Sequence, residues 1–567
     1  MHVQKGMVIN MTKIAVLSNI NMDPVISAVE GDIIKPDGYG SVFEELFRPD
    51  AAVYTQNAQH IYLILDMAEL LVNCTHTEER KQEIDQWFQN LNGCLKQDKM
   101  YFISDADCRY DWFSVSIDGN EVRDLEFYWY QKLRECCAAN PNVHIFPLKR
   151  IVEQLGKREA YTDKMWYLGR IPFGAQAREA IAQEIAHCEK MLGTPKKVLL
   201  LDLDNTLWGG VIGEGNESDI QLGNEKTGLI YKDLQRVIKR MKDCGVVLGI
   251  VSKNNPEDAL KVIREHPHMV LREEDFAILK LNWEPKDQNI RAIAQELNLG
   301  TDSMVFFDDN PAERALVQSS LPEVTVPDFP SQTEQLPKVM LQIFRDYFEK
   351  WVYTKEDTEK TAQYRANAKR KELQESQTDY AGFLKSLDIR VKRVDAVAHR
   401  ERLLQLLNKT NQFNLTTVRY TMAELEAVLH DREGHQVYLF EVSDRFGNNG
   451  ITAAVIAGFQ KLDAEATVAK ANQAEIENFV MSCRIMGRMI EHMILDYVEK
   501  DVLNRGYAEL KASYVYTPKS KPVEHFYEDC GYKVCRADAT HKEYLTELLE
   551  RKEKEWYGSW EEAEIFE

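Results

Sequence analysis

The chain has 567 residues and a mass of 65.6 kDa, and 44% of it is hydrophobic and 10% aromatic, which supplies real cores and excludes a disordered chain. At roughly 100–200 residues per domain, about three domains are expected. The formal net charge of −21 and a pI of about 5.2 argue against sequence-independent binding to nucleic acid or to an anionic membrane, since a field of that sign repels polyanions.

Residues 1–194 alternate short apolar runs with helical patterns. Ile14–Leu17, Ile61–Leu65, Met100–Ile103 and His144–Pro147 read as strands; Glu79–Leu95, Lys149–Leu155 and Ala177–Leu192 read as helices. Alternation of this kind predicts a parallel α/β sheet. The ten cysteines include no Cys-x-x-Cys pair, and the adjacent Cys136 and Cys137 suit neither an ordinary disulfide nor a zinc site. With no secretory signal and no apolar run near the ~20 residues of a membrane span, a cytoplasmic protein with reduced thiols is expected. Ser18 and Asn19 follow the first strand, which resembles the SGNH hydrolase fold. No Gly-x-Asn-Asp block and no late Asp-x-x-His accompany them; the stretch that should carry the latter reads Trp166-Tyr167-Leu168-Gly169-Arg170. A serine without a base in reach is not an activated nucleophile, so this domain is expected to be a non-catalytic scaffold or docking module on a flavodoxin-type sheet.

Residues 195–353 are organised by Val198-Leu199-Leu200-Leu201-Asp202-Leu203-Asp204. The unbroken apolar run predicts a strand covered on both faces. Two carboxylates at its carboxyl end are too costly for packing unless a cation compensates them. A glycine-rich flap, Val211-Ile212-Gly213-Glu214-Gly215-Asn216, and a helix from Leu229 to Lys242 follow. A second strand, Val246–Val251, ends in Ser252. Lys286 opens the helix Asp287–Leu297, with Lys280 a weaker rival for the same role. A third strand, Met304–Phe307, ends in Asp308-Asp309, and Pro311 starts another helix.

Strand ends carrying Asp-x-Asp, Ser and Asp-Asp, with a lysine at an intervening helix start, resemble the four motifs of the haloacid dehalogenase-like (HAD) phosphatases. That resemblance implies Asp202 as the nucleophile forming an aspartyl-phosphate, and Asp204 as general acid and then base. It makes Ser252 and Lys286 ligands of the phosphoryl oxygens. Mg²⁺ would be held by Asp202, the Asp204 main-chain carbonyl and an acid of the Asp308-Asp309 pair, with Asp309 preferred as ligand and Asp308 turned to the lysine. Oxygen ligands suit Mg²⁺ rather than zinc. The intervals between motifs are too short for a cap domain, so the site is expected to be open to a bulky substrate or covered by a flanking domain.

Residues 354–386 are charged and helix-prone and read as a solvated helical connector. In residues 387–567, a strand running into Met481-Ser482-Cys483-Arg484-Ile485-Met486-Gly487-Arg488, with Phe526-Tyr527 and Gly531-Tyr532 later, resembles the GNAT acyltransferase fold. The resemblance implies an α+β domain binding a diphosphate at the helix start through Arg484, Gly487 and Arg488. A pantetheine arm would run along the split sheet.

The whole order, together with Asn411-Gln412-Phe413-Asn414-Leu415-Thr416-Thr417 and Phe307-Asp308-Asp309-Asn310-Pro311-Ala312-Glu313-Arg314, resembles the FkbH-like proteins of polyketide biosynthesis. That resemblance implies that a glyceryl unit from 1,3-bisphosphoglycerate is dephosphorylated and passed to the phosphopantetheine thiol of an acyl carrier protein, with a cysteine as the intermediate carrier. Cys483, at a strand end beside Arg484, is the candidate; the alternative is a small buried hydrophobe. Two rival readings stand beside this one. One is a phosphatase for another phospho-acid in surface-glycan or small-metabolite synthesis; the other is an adaptor that binds a carrier protein.

Overall fold

Three sheets organise the chain, an α/β protein whose residues 12–36, 40, 42–74, 76–109, 121–212, 220–351, 353, 355–376, 379–459, 473–551 and 554–561 are described by a computed structural model. The tip of the expected flap from Gly213 onward lies outside the described residues. Two compact units form: one ends at Pro195 but also takes in Arg345–Val352, and the other comprises Lys196–Phe344 and the chain from Tyr353 onward.

In the first unit, strands β1 (Lys13–Leu17), β2 (Asp32–Ile34), β3 (His60–Leu63), β4 (Met100–Ser104) and β5 (Val143–Phe146) pair in parallel in the order β2-β1-β3-β4-β5. Both faces are covered, and the period of two divides the central strands between them. Ile61 and Leu63 join Trp87 and Trp129 of the helices Thr77–Cys94 and Glu121–Ala139. Tyr62 and Phe102 join Ile151 and Ile181 of the helices Leu148–Leu155 and Ala175–Met191. The helix Glu121–Ala139 goes beyond the elements read from the sequence.

Arg345–Val352, which the sequence reading counts with the second domain, belongs here instead. Arg345 pairs with Glu184, Glu349 bonds His187 at 2.9 Å, and Trp351 lies 4.6 Å from the His144 ring and 5.4 Å from Phe102. The reason is apolar: Trp351 finds an aromatic wall on this sheet.

Ser18 sits where β1 ends and is buried, but its hydroxyl donates to the Ile64 carbonyl and accepts the Ile20 N–H. No imidazole or carboxylate bonds it among the described residues. The hydroxyl is spent on the backbone.

Asp105, just past β4, accepts the Lys149 N–H at 2.8 Å, yet burial pushes its carboxyl up to about 6. A folded pKa above the unfolded one adds stability that is complete below about pH 4 and lost as pH rises through about 6. Asp105→Asn keeps the acceptor and removes the charge. It should therefore match the wild type in thermal unfolding near pH 4 and exceed it by about 1–2 kcal/mol at pH 8. A pH-independent difference would contradict this assignment.

The second unit holds two sheets. Strands β6 (Val198–Leu201), β7 (Val247–Ser252), β8 (Phe276–Leu281) and β9 (Met304–Phe307) are parallel in the order β8-β7-β6-β9, and every residue of β6 is fully buried. The other sheet contains β10 (Arg390–Val394), β11 (Phe413–Asn414), β12 (His435–Asp444), β13 (Gly447–Phe459), β14 (Gln473–Met481), β15 (Glu509–Val515), β16 (Lys533–Ala537), β17 (His541–Glu547) and β18 (Ser559–Trp560). It is antiparallel except at β14–β15 and β10–β18.

β14 and β15 pair only from Gln473 and Glu509 to Ile476 and Ala512, and then the two strands part. β11 enters the gap. Phe413 and Asn414 pair with Met481 and Val480, the Leu415 N–H bonds the Phe479 carbonyl, and the Val515 N–H bonds the Leu415 carbonyl.

The helix Lys355–Ser376 is not the solvated connector expected from its charge. Thr361, Gln363, Ala366 and Arg370 are buried, and Tyr364 packs against the core beneath β6 and β7. Arg370 forms a two-pronged bond to Asp444, with both distances 2.6 Å, and Arg365 bonds the Glu273 carbonyl at 3.0 Å. The helix is a strut between the two sheets of this unit. Among the described residues no helix is long and apolar enough to cross a membrane.

Candidate metal and phosphoryl site

β6, β7 and β9 deliver their last residues to one edge, where ligands of open parallel sheets gather. Asp202 follows β6, Ser252 closes β7 and Asp308-Asp309 follow β9. Oxygens of Asp202, Asp308 and Asp309 lie within 4.8 Å of one another. Lys286, at the first turn of the helix Lys286–Leu297, reaches in with Nζ 2.8 Å from Asp202 Oδ1 and 2.5 Å from Asp308 Oδ2. Its pKa is raised: burial opposes its charge, but the two carboxylates outweigh that.

Three carboxylates against one ammonium leave two negative charges in a largely buried pocket. Burial, and then the charge of Asp202, push the Asp308 carboxyl up to about 6 and raise Asp309 in the same sense. Such a charge balance suits a divalent cation, and the all-oxygen donor set fits Mg²⁺. The second oxygen of Asp308 is held by the Asn310 N–H at 2.8 Å. The Asp309 main-chain N–H is anchored on Thr206 Oγ1 at 3.2 Å, which sets its carboxylate beside the other two.

Asp204 lies outside the three-acid cluster. Trp208 Nε1 and the Ile212 N–H bond its Oδ1 at 2.9 and 3.2 Å, and Asn254 Nδ2 bonds Oδ2 at 3.0 Å. Burial raises its pKa against those donors, which favours a carboxyl that holds a proton. Ser252 is buried, with its Oγ 3.2 Å from Asn254 Nδ2. Asn205, in the left-handed region at φ 52°, accepts the Gly210 N–H through its side chain and so turns the chain tightly after the second acid. Lys280 is elsewhere, paired with Glu296.

Sequence reasoning gave no individual role to Asn254, Trp208, Thr206 or Arg314, although the last three lie within its motifs. Arg314 Nη1 bonds the carbonyls of Asp308 and Asp309 at 2.8 and 2.7 Å and so fixes the loop that carries both acids. Asn254 stands two residues beyond Ser252, the one signal that marks it. Trp283 is also new: 74% exposed, it sits three residues before Lys286 on a loop pinned by paired Asn282–Asn289 bonds.

The remaining predicted residues lie in the C-terminal sheet's domain. Cys483 is exposed and opens a three-residue 3₁₀ turn, Cys483–Ile485. The helix expected to start beside it begins at Ile490, too far along for its N-terminus to act on the thiol. Arg484 turns back to Ser482 Oγ at 3.2 Å, beside the half-buried Tyr364. Arg488 is not presented to a diphosphate. It is buried, bonded to the Arg484 carbonyl at 2.6 Å and to Asp444 at 3.3 Å, and burial pulls its pKa down to about 10. Tyr380 covers Gly487 through its carbonyl at 2.7 Å, and Met489, with φ 60°, occupies the helix cap. The track expected for a pantetheine arm is filled by β11, because the backbone groups freed where β14 and β15 part must find partners. No contact joins Cys483 to the acidic cluster among the described residues.

No family model matches the chain, and no curated protein matches it. Among solved structures, the crystal structure of the N-terminal part of a Bacteroides fragilis protein, containing a phosphatase domain complexed with Mg, is 26% identical. It covers 60% of this chain and 94% of its own, at a TM-score of 0.53. The GNAT domain of Streptomyces lividans PAT (16% identity, 28% of this chain, 89% of that chain, TM-score 0.22) also matches. So does the ribosomal-protein-S18-alanine N-acetyltransferase of Escherichia coli (10%, 30%, 99%, 0.22). Likenesses of that extent carry nothing about activity.

Proposed function

We propose that this chain is a Mg²⁺-dependent phosphohydrolase of the HAD type. The observation that carries the reading is the Asp202–Lys286–Asp308–Asp309 cluster, with its two uncompensated negative charges at the carboxyl edge of a parallel sheet. The likeness to a Mg-complexed phosphatase domain supports it. Asp202, Asp309 and the main-chain carbonyl of Asp204 would hold Mg²⁺, with Asp308 turned to Lys286. When bound, the ion supplies positive charge for the phosphoryl oxygens and offsets the repulsion between the incoming dianion and Asp202.

Asp202 attacks phosphorus with a carboxylate oxygen, and the bond from phosphorus to the leaving oxygen breaks. Asp204 gives its proton to that oxygen, which Trp208 and Asn254 allow by fixing the carboxyl in place. Lys286 and Ser252 hold the equatorial oxygens. Asp204, now ionised, takes a proton from water, whose oxygen attacks the aspartyl-phosphate. Phosphate leaves and Asp202 is restored. Release of inorganic phosphate from p-nitrophenyl phosphate with Mg²⁺, abolished by EDTA, is the expected result; turnover unaffected by EDTA would sink the reading.

At the finer level we infer an FkbH-like role: a phosphoglyceryl unit from 1,3-bisphosphoglycerate is carried on Cys483, dephosphorylated at Asp202 and passed to an acyl carrier protein. The exposure of Cys483 supports this reading, as does the short interval between the phosphatase motifs. Intact mass after incubation with 1,3-bisphosphoglycerate and Mg²⁺ should show a glyceryl adduct that Cys483→Ala lacks. If the variant still gains that mass, Cys483 is not the carrier. One observation favours a second reading, a phosphatase for another phospho-acid whose C-terminal domain only binds: β11 fills the track an acyl-pantetheine would use. A turnover rate indifferent to phosphopantetheinylated carrier protein would select it.

A further inference from the structure

The first unit keeps a ligand cavity although its serine is spent. Three stretches of chain wall it: one beyond the carboxyl end of β4 carries Arg109, a second after the helix that follows β5 carries Lys157, Arg158, Tyr161, Thr162 and Asp163, and a third carries Pro172. It is a half-open cleft of about 330 Å³, enough for a small organic anion. The Arg109 wall continues from the carboxyl end of β4, whereas the strand order of this sheet reverses between β1 and β3.

The side chains that line this cavity include three cations and one acid. Arg109 is fixed: its Nε lies 2.6 Å from Asp66 Oδ2, and its guanidinium stacks 3.5 Å over Trp166, so Asp66 balances its charge. Lys157 forms no ion pair with any described carboxylate. Its Nζ bonds the Cys108 carbonyl at 2.6 Å, which fixes the ammonium without neutralising it. Arg158 makes no ion pair with any described residue. Against these two cations stand Asp163 in the lining and Asp107 behind it, which Tyr161 bonds and the Lys157 charge reaches. The Tyr161 hydroxyl is committed to Asp107 at 2.6 Å, while the Thr162 hydroxyl bonds no side chain or backbone group among the described residues. In a chain of net charge −21, long-range attraction does not bring an anion here. An anion is held only where local cations outweigh the surrounding field.

The geometry points to a binding site for a small phosphoryl-bearing anion in this cavity, with Lys157 as a point charge and Arg158 as the planar fork that matches phosphate oxygens. The site shares no residue with the Asp202 cluster and does not rest on the phosphatase reading.

The test uses the full chain carrying Asp202→Asn, in EDTA, so that the metal-dependent site is silent. Equilibrium dialysis with inorganic phosphate and with methyl phosphate should show one bound anion per chain, weakened at least tenfold by Lys157→Ala with Arg158→Ala. Acetate should bind at least tenfold more weakly than either. Saturable binding of methyl phosphate assigns the cavity to phosphate esters; binding of inorganic phosphate alone assigns it to the free anion. Equal binding by the double variant overturns the site, as does phosphate binding that appears only when Mg²⁺ is added or affinity for acetate as strong as for phosphate. The same two substitutions in the Asp202 background should leave Mg²⁺-dependent phosphate release unchanged, which shows that the variant is folded and keeps the two sites' fates separate.

Discussion

Asp202→Asn is expected to lower phosphate release by at least about a thousandfold, because an amide is nearly isosteric with the carboxylate but is no nucleophile toward phosphorus. The oxygen of the introduced amide can still accept from Lys286, so the loop after β6 should keep its shape. The substitution also removes one of the two carboxylates that would hold the cation, so Mg²⁺ should bind more weakly. The informative comparison is kcat on p-nitrophenyl phosphate at saturating Mg²⁺, together with trapping of an acid-stable phosphoprotein. More than a tenth of wild-type turnover in the variant would exclude Asp202 as the nucleophile.

Lys286→Ala should cost stability as well as activity. Its ammonium is buried between Asp202 and Asp308, and removing one partner of a buried ion pair leaves uncompensated charge, a loss of about 3–5 kcal/mol. Three carboxylates would then face each other with nothing between them. The sign of the Mg²⁺ effect follows. Added Mg²⁺ should raise the unfolding temperature of Lys286→Ala by more than it raises that of the wild type, while activity stays low because the phosphoryl oxygens have lost a donor. A variant with wild-type unfolding temperature and no Mg²⁺ response would show that Lys286 is peripheral to the cluster.

The parts of this site legible in the sequence share one physical cause. β6, β7 and β9 are covered on both faces, so they read as unbroken apolar runs, and an acid or serine at the end of such a run has no packing explanation. The roles of the side chains that orient the acids, Asn254, Trp208 and Arg314, were not legible, because which carbonyl or carboxylate a side chain one turn or one loop away will meet is set only by the fold. The helix Glu121–Ala139 was hidden by its own aromatics. Phe127 and Tyr130 stay exposed while Trp129 is buried, so its apolar residues surround the axis instead of marking one face. Charge misled the reading of Lys355–Ser376: Arg370 looks like a solvated side chain until Asp444, 74 residues later, arrives to pair with it. β11 is two residues long and is defined by the gap it fills, which no local signal announces.

The chain that builds the first unit is not continuous: its sheet is laid down before Pro195, but Arg345–Val352 belongs to its wall. During synthesis the five strands emerge first, while Trp351, which covers Phe102 and His144, follows only after the chain has grown well past Pro195. At about 5–20 residues per second that is a wait of roughly ten to thirty seconds, during which an aromatic face stays uncovered. A truncation at the end of the first sheet reproduces that intermediate permanently, so fragments meant to isolate this unit need residues 345–352 supplied with them.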